Sequence, residues 1–141
     1  MTSYSLKVYK KSNHMDLTEG DRNIVLKNKA NCVSGVYFDL DNFDYVENKG
    51  KLSASFVNVN GNFNIWIGLA HKNSVTTSGD VKDRNNVYSF SAYDGDKWSS
   101  KGGERYGVEW DKKNAKIGLE IDFASKVLSF NVDNEPQGNA F

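Results

Sequence analysis

The chain has 141 residues, enough for one domain with a proper hydrophobic core. Its 18 Lys and Arg residues balance 18 Asp and Glu residues, so its charge gives no support for nucleic acid or a membrane surface as the main partner. The aromatic content of 13% is typical of β-rich packing.

Cysteine usage bears on the compartment. Cys32 is the single cysteine, so no disulfide can form within the chain, and a reducing environment is expected. The sequence has no signal-peptide pattern at its N-terminus and no apolar run long enough to span a bilayer. These features predict a cytoplasmic, intracellular protein.

Short strands are predicted in the first part of the chain. Residues 4–9 alternate apolar and polar side chains, which predicts a strand, and residues 23–27 and 35–43 are further strand candidates. The position of residues 4–9 at the terminus suggests an edge or late-docking element. Residues 13–23 are polar and are predicted to be a connection with a turn at 19–21.

The middle of the chain is predicted to form a hairpin and a loop. Residues 51–59 and 63–70 flank Asn60-Gly61, a pair that tolerates the positive φ angles of a type I′ turn. The second segment is apolar at nearly every position, which predicts a central strand covered on both faces. The polar loop at 72–86 is long, and loops of this length are often functional.

The last third has the clearest strand pattern. Side chains alternate in segments 87–93, 117–123 and 127–133, and Asp94-Gly95 marks a tight turn after the first. No apolar stripe with helical period is present, so little helix is expected. The sequence therefore predicts an all-β fold, an antiparallel β-sandwich of two packed sheets.

The same third carries an ordered set of motifs. They are Tyr93-Asp94-Gly95 with Trp98, Gly103-Glu104-Arg105-Tyr106-Gly107 with Trp110, Ile117-Gly118 with Asp122, and Gly138-Asn139-Ala140-Phe141. Their order and spacing resemble the SPRY domain, called B30.2 when it is extended at its N-terminus. The resemblance implies a single domain over residues 1–141, with two curved sheets of the concanavalin or jelly-roll type.

The family pattern continues through one or two more strands after the motif at 138–141. We therefore expect the final family strand to be lacking or truncated, which would leave an open sheet edge. Three explanations stay open: a boundary within a longer protein, which is favoured; residues 4–9 filling the vacancy; or a partner strand added by β-augmentation.

Catalytic chemistry has one candidate. Glu120 and Asp122 fall on one face of a strand and resemble the start of the carboxylate motif in laminarinase-like glycosidases. Positions 124 and 125 are Ala and Ser, so the second carboxylate of that motif is missing. A solvated strand face is the favoured interpretation, with a degenerate glycosidase as the alternative.

Metal binding has little support. Asp39, Asp41 and Asp44 suggest a calcium loop, but they fit no register of the EF-hand pattern. His14 and His71 are the only histidines, and no zinc-ligand spacing occurs. We expect no metal site, no cofactor and no catalytic residue, and hence a protein that is not an enzyme.

Interleaved aromatic and charged residues point to binding. Tyr, Trp and Arg side chains anchor protein interfaces, although the tryptophans also fit a place in the core. The resemblance implies that loops at one end of the sandwich bind a peptide or partner surface; we expect these to be 72–86 and 94–106. The candidate partner-binding residues are Tyr93, Asp94, Trp98, Arg105 and Tyr106.

The predicted function is a non-catalytic protein–protein interaction module, acting as a scaffold and belonging to a larger chain or complex. The alternatives are a lectin-like carbohydrate-binding sandwich and a structural subunit of a larger assembly.

Overall fold

Eight strands between residues 51 and 139 form two four-stranded antiparallel sheets. A computed structural model describes residues 8–11, 13, 15–19, 24–28, 36–38, 50–74 and 87–141. The chain divides into one unit formed by Met1–Asp44 and His71–Arg84, and a second formed by Tyr45–Ala70 and Asn85–Phe141. The two four-stranded sheets belong to the second unit.

The first unit contains two strand pairs in its described part. Strands β1 to β4 are, in chain order, Val8–Lys11, Met15–Glu19, Ile24–Asn28 and Val36–Phe38, and a short 3-10 turn follows at Lys72–Ser74. Strand β1 pairs with β4, and β2 pairs with β3, both antiparallel. The predicted strands at 4–9, 23–27 and 35–43 overlap β1, β3 and β4, as far as those segments are described.

Strand β2 corrects the prediction that residues 13–23 are a connection. Met15 and Leu17 are half-buried, whereas Asp16 and Thr18 are exposed. The period-two pattern was therefore present, although the polar residues around it concealed it. Cys32, the three calcium candidates Asp39, Asp41 and Asp44, and most of the loop at 72–86 lie outside the described residues.

The second unit is a β-sandwich. Its strands β5 to β12 are, in chain order, Lys51–Asn58, Trp66–Ala70, Val87–Ser91, Asp96–Ser99, Gly102–Arg105, Ala115–Asp122, Val127–Val132 and Glu135–Asn139. One sheet has the order β12-β11-β10-β5, and the other has the order β6-β7-β8-β9. All neighbouring strands in both sheets run antiparallel.

The core lies between these sheets. Phe90 of β7 and Phe130 of β11 belong to different sheets, and their ring centroids are 5.0 Å apart. Every second residue of β11 is buried, and Ile117, Leu119 and Ile121 of β10 are buried beside them. The predicted alternation in 117–123 and 127–133 is confirmed, since the apolar members of each strand turn inward.

Two predictions for the middle of the chain are wrong: residues 51–59 and 63–70 do not pair as a hairpin, and the second segment is not a central strand. The predicted turn at Asn60-Gly61 is present, as shown by the φ of +70° at Gly61 and by its N–H, which donates to the Asn58 carbonyl at 3.3 Å. The strands on either side do not pair, since β5 pairs with β10 while β6 pairs with β7. Strand β6 is an outer strand among the described residues, and its Trp66 is exposed.

The segment predicted as a binding loop at 94–106 is largely a hairpin. It contains β8 and β9, which pair from Asp96 opposite Arg105 to Ser99 opposite Gly102. The loop prediction was wrong because charged and glycine residues in these strands broke the apolar alternation. Within the described ranges, the chain contains no helix that could cross a membrane.

Candidate functional site

Three chain segments meet at one end of the sandwich, and two backbone hydrogen bonds hold them together. The Ala92 N–H donates to the Ile65 carbonyl, and the Trp110 N–H donates to the Ala92 carbonyl, both at 2.9 Å. Ala92 and Trp110 are buried, so both bonds lie on the core side of the segments. We call this region, formed by residues 58–65, 92–95 and 107–114, the Tyr93 end.

Asn58 supports the same region from the end of β5. Its side-chain NH₂ donates to the carbonyls of Asn62 at 2.8 Å and Trp110 at 3.2 Å. Its side-chain oxygen accepts from the Asn62 N–H at 3.0 Å, and its backbone carbonyl accepts from the Asn114 N–H at 2.7 Å. A buried amide with this many partners fixes the local backbone, since breaking any of these hydrogen bonds leaves a buried polar group unsatisfied.

An open groove lies on the surface of the Tyr93 end. It has a volume of about 460 Å³ and is lined by Phe63, Asn64, Tyr93 and Asp111. The rings of Phe63 and Tyr93 are 6.0 Å apart at an angle of 61°, and the two residues are 55% and 62% exposed. The structure therefore exposes two large aromatic side chains side by side at this end of the sandwich.

The predicted residues Tyr93, Asp94 and Arg105 fall at or near this end. Asp94 is exposed, and its carboxylate accepts a hydrogen bond from the Asp96 N–H at 3.0 Å, which shapes the turn into β8. Arg105 is exposed at the end of β9, where it lies opposite Asp96 in the strand register. The structure therefore brings Tyr93 and Asp94 together and places Arg105 two strands away in the same sheet.

Trp98 lies further along β8 and does not line the groove. It pairs with Gly103 across the hairpin, and its ring covers that glycine: an ideal Cβ at Gly103 would lie 2.8 Å from Cζ2 of the indole. Trp98 is 36% exposed. Its position gives it a packing contact within the sheet while leaving part of the ring accessible.

Tyr106 joins the two sheets through its ring and its hydroxyl. The ring contacts Phe90 and Phe130, with centroids 5.4 and 6.2 Å away. The hydroxyl accepts from the Phe130 N–H at 3.2 Å and donates to the Gly138 carbonyl. The β11–β12 register is irregular between Ser129 and Asn131, so the hydroxyl bridges the strands at this bulge. Burial raises the pKa of this hydroxyl, and the hydrogen bond with Phe130 partly opposes that shift.

Removing this hydroxyl tests its structural role. We expect Tyr106→Phe to lower the free energy of unfolding by about 1–2 kcal/mol, because the two backbone groups lose their partner. Urea denaturation followed by tryptophan fluorescence measures the change. Tyr93→Phe is the matched control, and we expect it to stay within about 0.5 kcal/mol because its ring is on the surface. Equal effects of the two substitutions would contradict the bridging role.

Glu120 and Asp122, the glycosidase candidates, make structural contacts. The Lys51 ammonium lies 3.6 Å from Glu120 and 3.9 Å from Asp122 across the strand pair. The Asp122 carboxylate also accepts from the N–H groups of Ala124 at 3.0 Å and Ser125 at 3.3 Å. The hydrogen bonds from Ser125 are the main cause of the lowered Asp122 pKa, with smaller contributions from Ala124 and Lys51. Asp122 therefore caps the β10–β11 turn.

This lowered pKa predicts a pH dependence of stability. Because Asp122 loses its proton more readily in the folded than in the unfolded chain, its contribution is present above its unfolded pKa of about 4. It is lost as the pH falls through the lower folded pKa. We expect Asp122→Asn to be less stable than wild type at neutral pH, and the difference to shrink below about pH 4. Thermal unfolding across this pH range measures it, and a difference that grows on acidification would contradict the capping role.

Metal ligation finds no further support in the part of the chain that the structure describes. Within those residues, no group of three His, Cys, Asp or Glu side chains is arranged to hold a metal ion.

The fold and the groove define the class of protein: an antiparallel β-sandwich with an exposed aromatic groove at one end. A comparison with protein-family models matches the SPRY domain over residues 55–141, from within β5 through β12. The chain therefore belongs to the SPRY family, whose domains are generally non-catalytic protein-interaction modules. No curated protein matches the chain.

Sequence reasoning missed three residues of the Tyr93 end: Asn58, Phe63 and Asp111. Phe63 was assigned to a buried strand because it precedes an apolar run, although β6 begins only at Trp66. Asn58 and Asp111 stand among many similar polar residues, and only the hydrogen bonds and the groove distinguish them. The one signal in the sequence that could have pointed to Asp111 was its position directly after Trp110, the last residue of the second family motif.

Proposed function

We propose that this protein is a non-catalytic interaction module that binds a peptide or partner surface through the Tyr93 end. The observation that carries the proposal is the Phe63–Tyr93 groove, in which two aromatic side chains are held exposed by buried backbone hydrogen bonds. Membership of the SPRY family supports the same function. Rigid, exposed aromatic side chains bury a large area on binding at low cost in conformational entropy.

Contact residues outside the groove are also proposed. Asp94 and Arg105 extend the candidate surface along the β7–β8 turn and the end of β9, and Trp98 extends it along the hairpin. Tyr106 contributes through packing, because its hydroxyl and ring are occupied within the sandwich. Charged residues around an aromatic centre are typical of an interface rim, where they steer association and affect specificity.

The proposal is tested by affinity capture from lysate of the source organism, read by mass spectrometry. The baits are wild type, Tyr93→Ala, Trp98→Ala and Arg105→Ala, each checked for folding by circular dichroism. Lys101→Ala is the control, because Lys101 is exposed in the β8–β9 turn, away from the groove. We expect a partner that Lys101→Ala retains and Tyr93→Ala loses.

Two results would contradict the proposal. A partner that all three variants retain would place binding elsewhere on the molecule. A folded wild-type chain that captures no protein but binds glycans would favour the carbohydrate-binding alternative. Conversely, loss of the partner with Trp98→Ala or with Arg105→Ala would identify the substituted residue as part of the contact surface.

A further inference from the structure

We propose that the Phe63–Tyr93 groove receives an arginine or lysine side chain of the bound partner. This inference rests on the proposed function and specifies the chemistry that the groove recognises. The lining combines two aromatic rings, one amide and one carboxylate, and Asp111 supplies the carboxylate. This combination suits a side chain that has an apolar stem and a positively charged end.

The aromatic rings suit both parts of such a side chain. The rings of Phe63 and Tyr93 meet at 61°, so they form two walls instead of one flat platform. The aliphatic stem of Lys or Arg packs against apolar surface while its charged end reaches a polar environment. Aromatic faces attract a cation placed within about 6 Å of the ring centroid.

The carboxylate sets the sign of the preferred charge. Asp111 is the one charged residue among the four that line the groove, and it is half-buried. A carboxylate beside aromatic rings favours a basic group and disfavours an acidic one. The Asn64 amide provides a donor and an acceptor, and it is compatible with the partner's backbone or with a guanidinium group. An acidic or purely apolar occupant would leave the Asp111 carboxylate without a favourable contact.

The groove is also held in place before binding. Its lining residues lie one or two positions from Ile65, Ala92 and Trp110, whose backbones are bonded to one another. Asn58 adds two hydrogen bonds to Asn62, next to Phe63. Binding therefore requires little reordering of the backbone, and a preorganised site loses less affinity to conformational entropy.

A random peptide library, selected on the immobilised 141-residue chain, provides the test. We expect the peptides enriched on wild type to share one Arg or Lys at a fixed position. Selection on Asp111→Lys should replace that basic residue with Asp or Glu, because the charge at the groove is reversed. Enrichment without a shared basic residue, or no enrichment at all, overturns the inference.

A double-mutant cycle then locates the contact. An enriched peptide is compared with a version carrying citrulline for Arg or norleucine for Lys, and each is titrated by fluorescence anisotropy against wild type and Asp111→Asn. We expect each single change to weaken binding by roughly ten-fold, and the second change to add little once the first is made. Independent effects of the peptide and protein changes would show that the basic side chain does not contact Asp111.

Tyr93→Ala separates this inference from the proposed function. A lysate partner or peptide that needs Tyr93 but is unaffected by Asp111→Asn refutes the basic side chain and leaves the interaction function standing. A partner that needs neither residue refutes both. A partner weakened by both substitutions, with the charge preference reversed by Asp111→Lys, supports both.

Discussion

Replacing Phe90 with alanine will lower the free energy of unfolding by about 3–5 kcal/mol, the range for large-to-small substitution of a buried aromatic residue. Phe90 has no exposed surface and lies where the two sheets meet. Its ring centroid is 5.0 Å from that of Phe130, 5.4 Å from Tyr106 and 5.8 Å from Trp110. Alanine at this position removes one partner from all three contacts and leaves a cavity that rigid strands fill poorly.

The measurement is urea denaturation at equilibrium, followed by tryptophan fluorescence and circular dichroism. Phe63→Ala is the matched control, since the chemical change is the same and Phe63 is exposed. We expect the control to change the free energy of unfolding by less than about 1 kcal/mol. Comparable losses for the two variants would contradict the placement of Phe90 in the core and of Phe63 at the groove.

Strand faces were predictable because burial repeats every second residue. In β10 and β11, the alternating apolar residues identified the inward face, and Ile117, Leu119 and Phe130 are buried as expected. The β-sandwich architecture followed from the same pattern, since strands with one apolar face need a second layer to cover them. These inferences depend on local sequence alone, which is why they hold.

Strand partners were less predictable, because a local turn does not fix them. The Asn60-Gly61 turn forms whether the chain folds back into the same sheet or crosses to the other one. Here β5 pairs with β10, which lies more than fifty residues further along the chain, and β6 pairs with β7. No periodicity in residues 51–70 distinguishes these arrangements, so the choice is made by tertiary packing.

The site was predictable only in part, for the same reason. Tyr93 stood out because an aromatic residue next to Asp-Gly is placed at a turn, and it is exposed there. Phe63 and Asp111 come from segments that are distant in sequence, and the backbone hydrogen bonds of Ala92 and the side-chain hydrogen bonds of Asn58 bring these segments together. Tyr106 has the residue type of an interface anchor, but its hydroxyl is directed to the β11–β12 bulge.

A second large effect is expected at Gly68, in the middle of β6. A Cβ added at this position would lie 1.8 Å from the Tyr88 carbonyl oxygen and 2.7 Å from the Ser89 Cα, both atoms of the neighbouring strand's backbone. Backbone atoms cannot rotate away as a flexible side chain can, so Gly68→Ala must displace β6 from β7 and break their pairing. We expect a loss of about 3 kcal/mol or more in the free energy of unfolding.

Gly102→Ala is the informative comparison, because Gly102 has space for a Cβ but a backbone conformation that side chains rarely adopt. It has φ +87° and nothing within 4 Å of an added Cβ, so only backbone strain opposes the substitution, at about 1–2 kcal/mol. Urea denaturation of both variants separates lack of space from conformational strain. If Gly68→Ala lowers the free energy of unfolding no more than Gly102→Ala does, the β6–β7 register is wrong. The Ile65–Ala92 bond that positions Phe63 beside Tyr93 continues that register and would have to be reassigned with it.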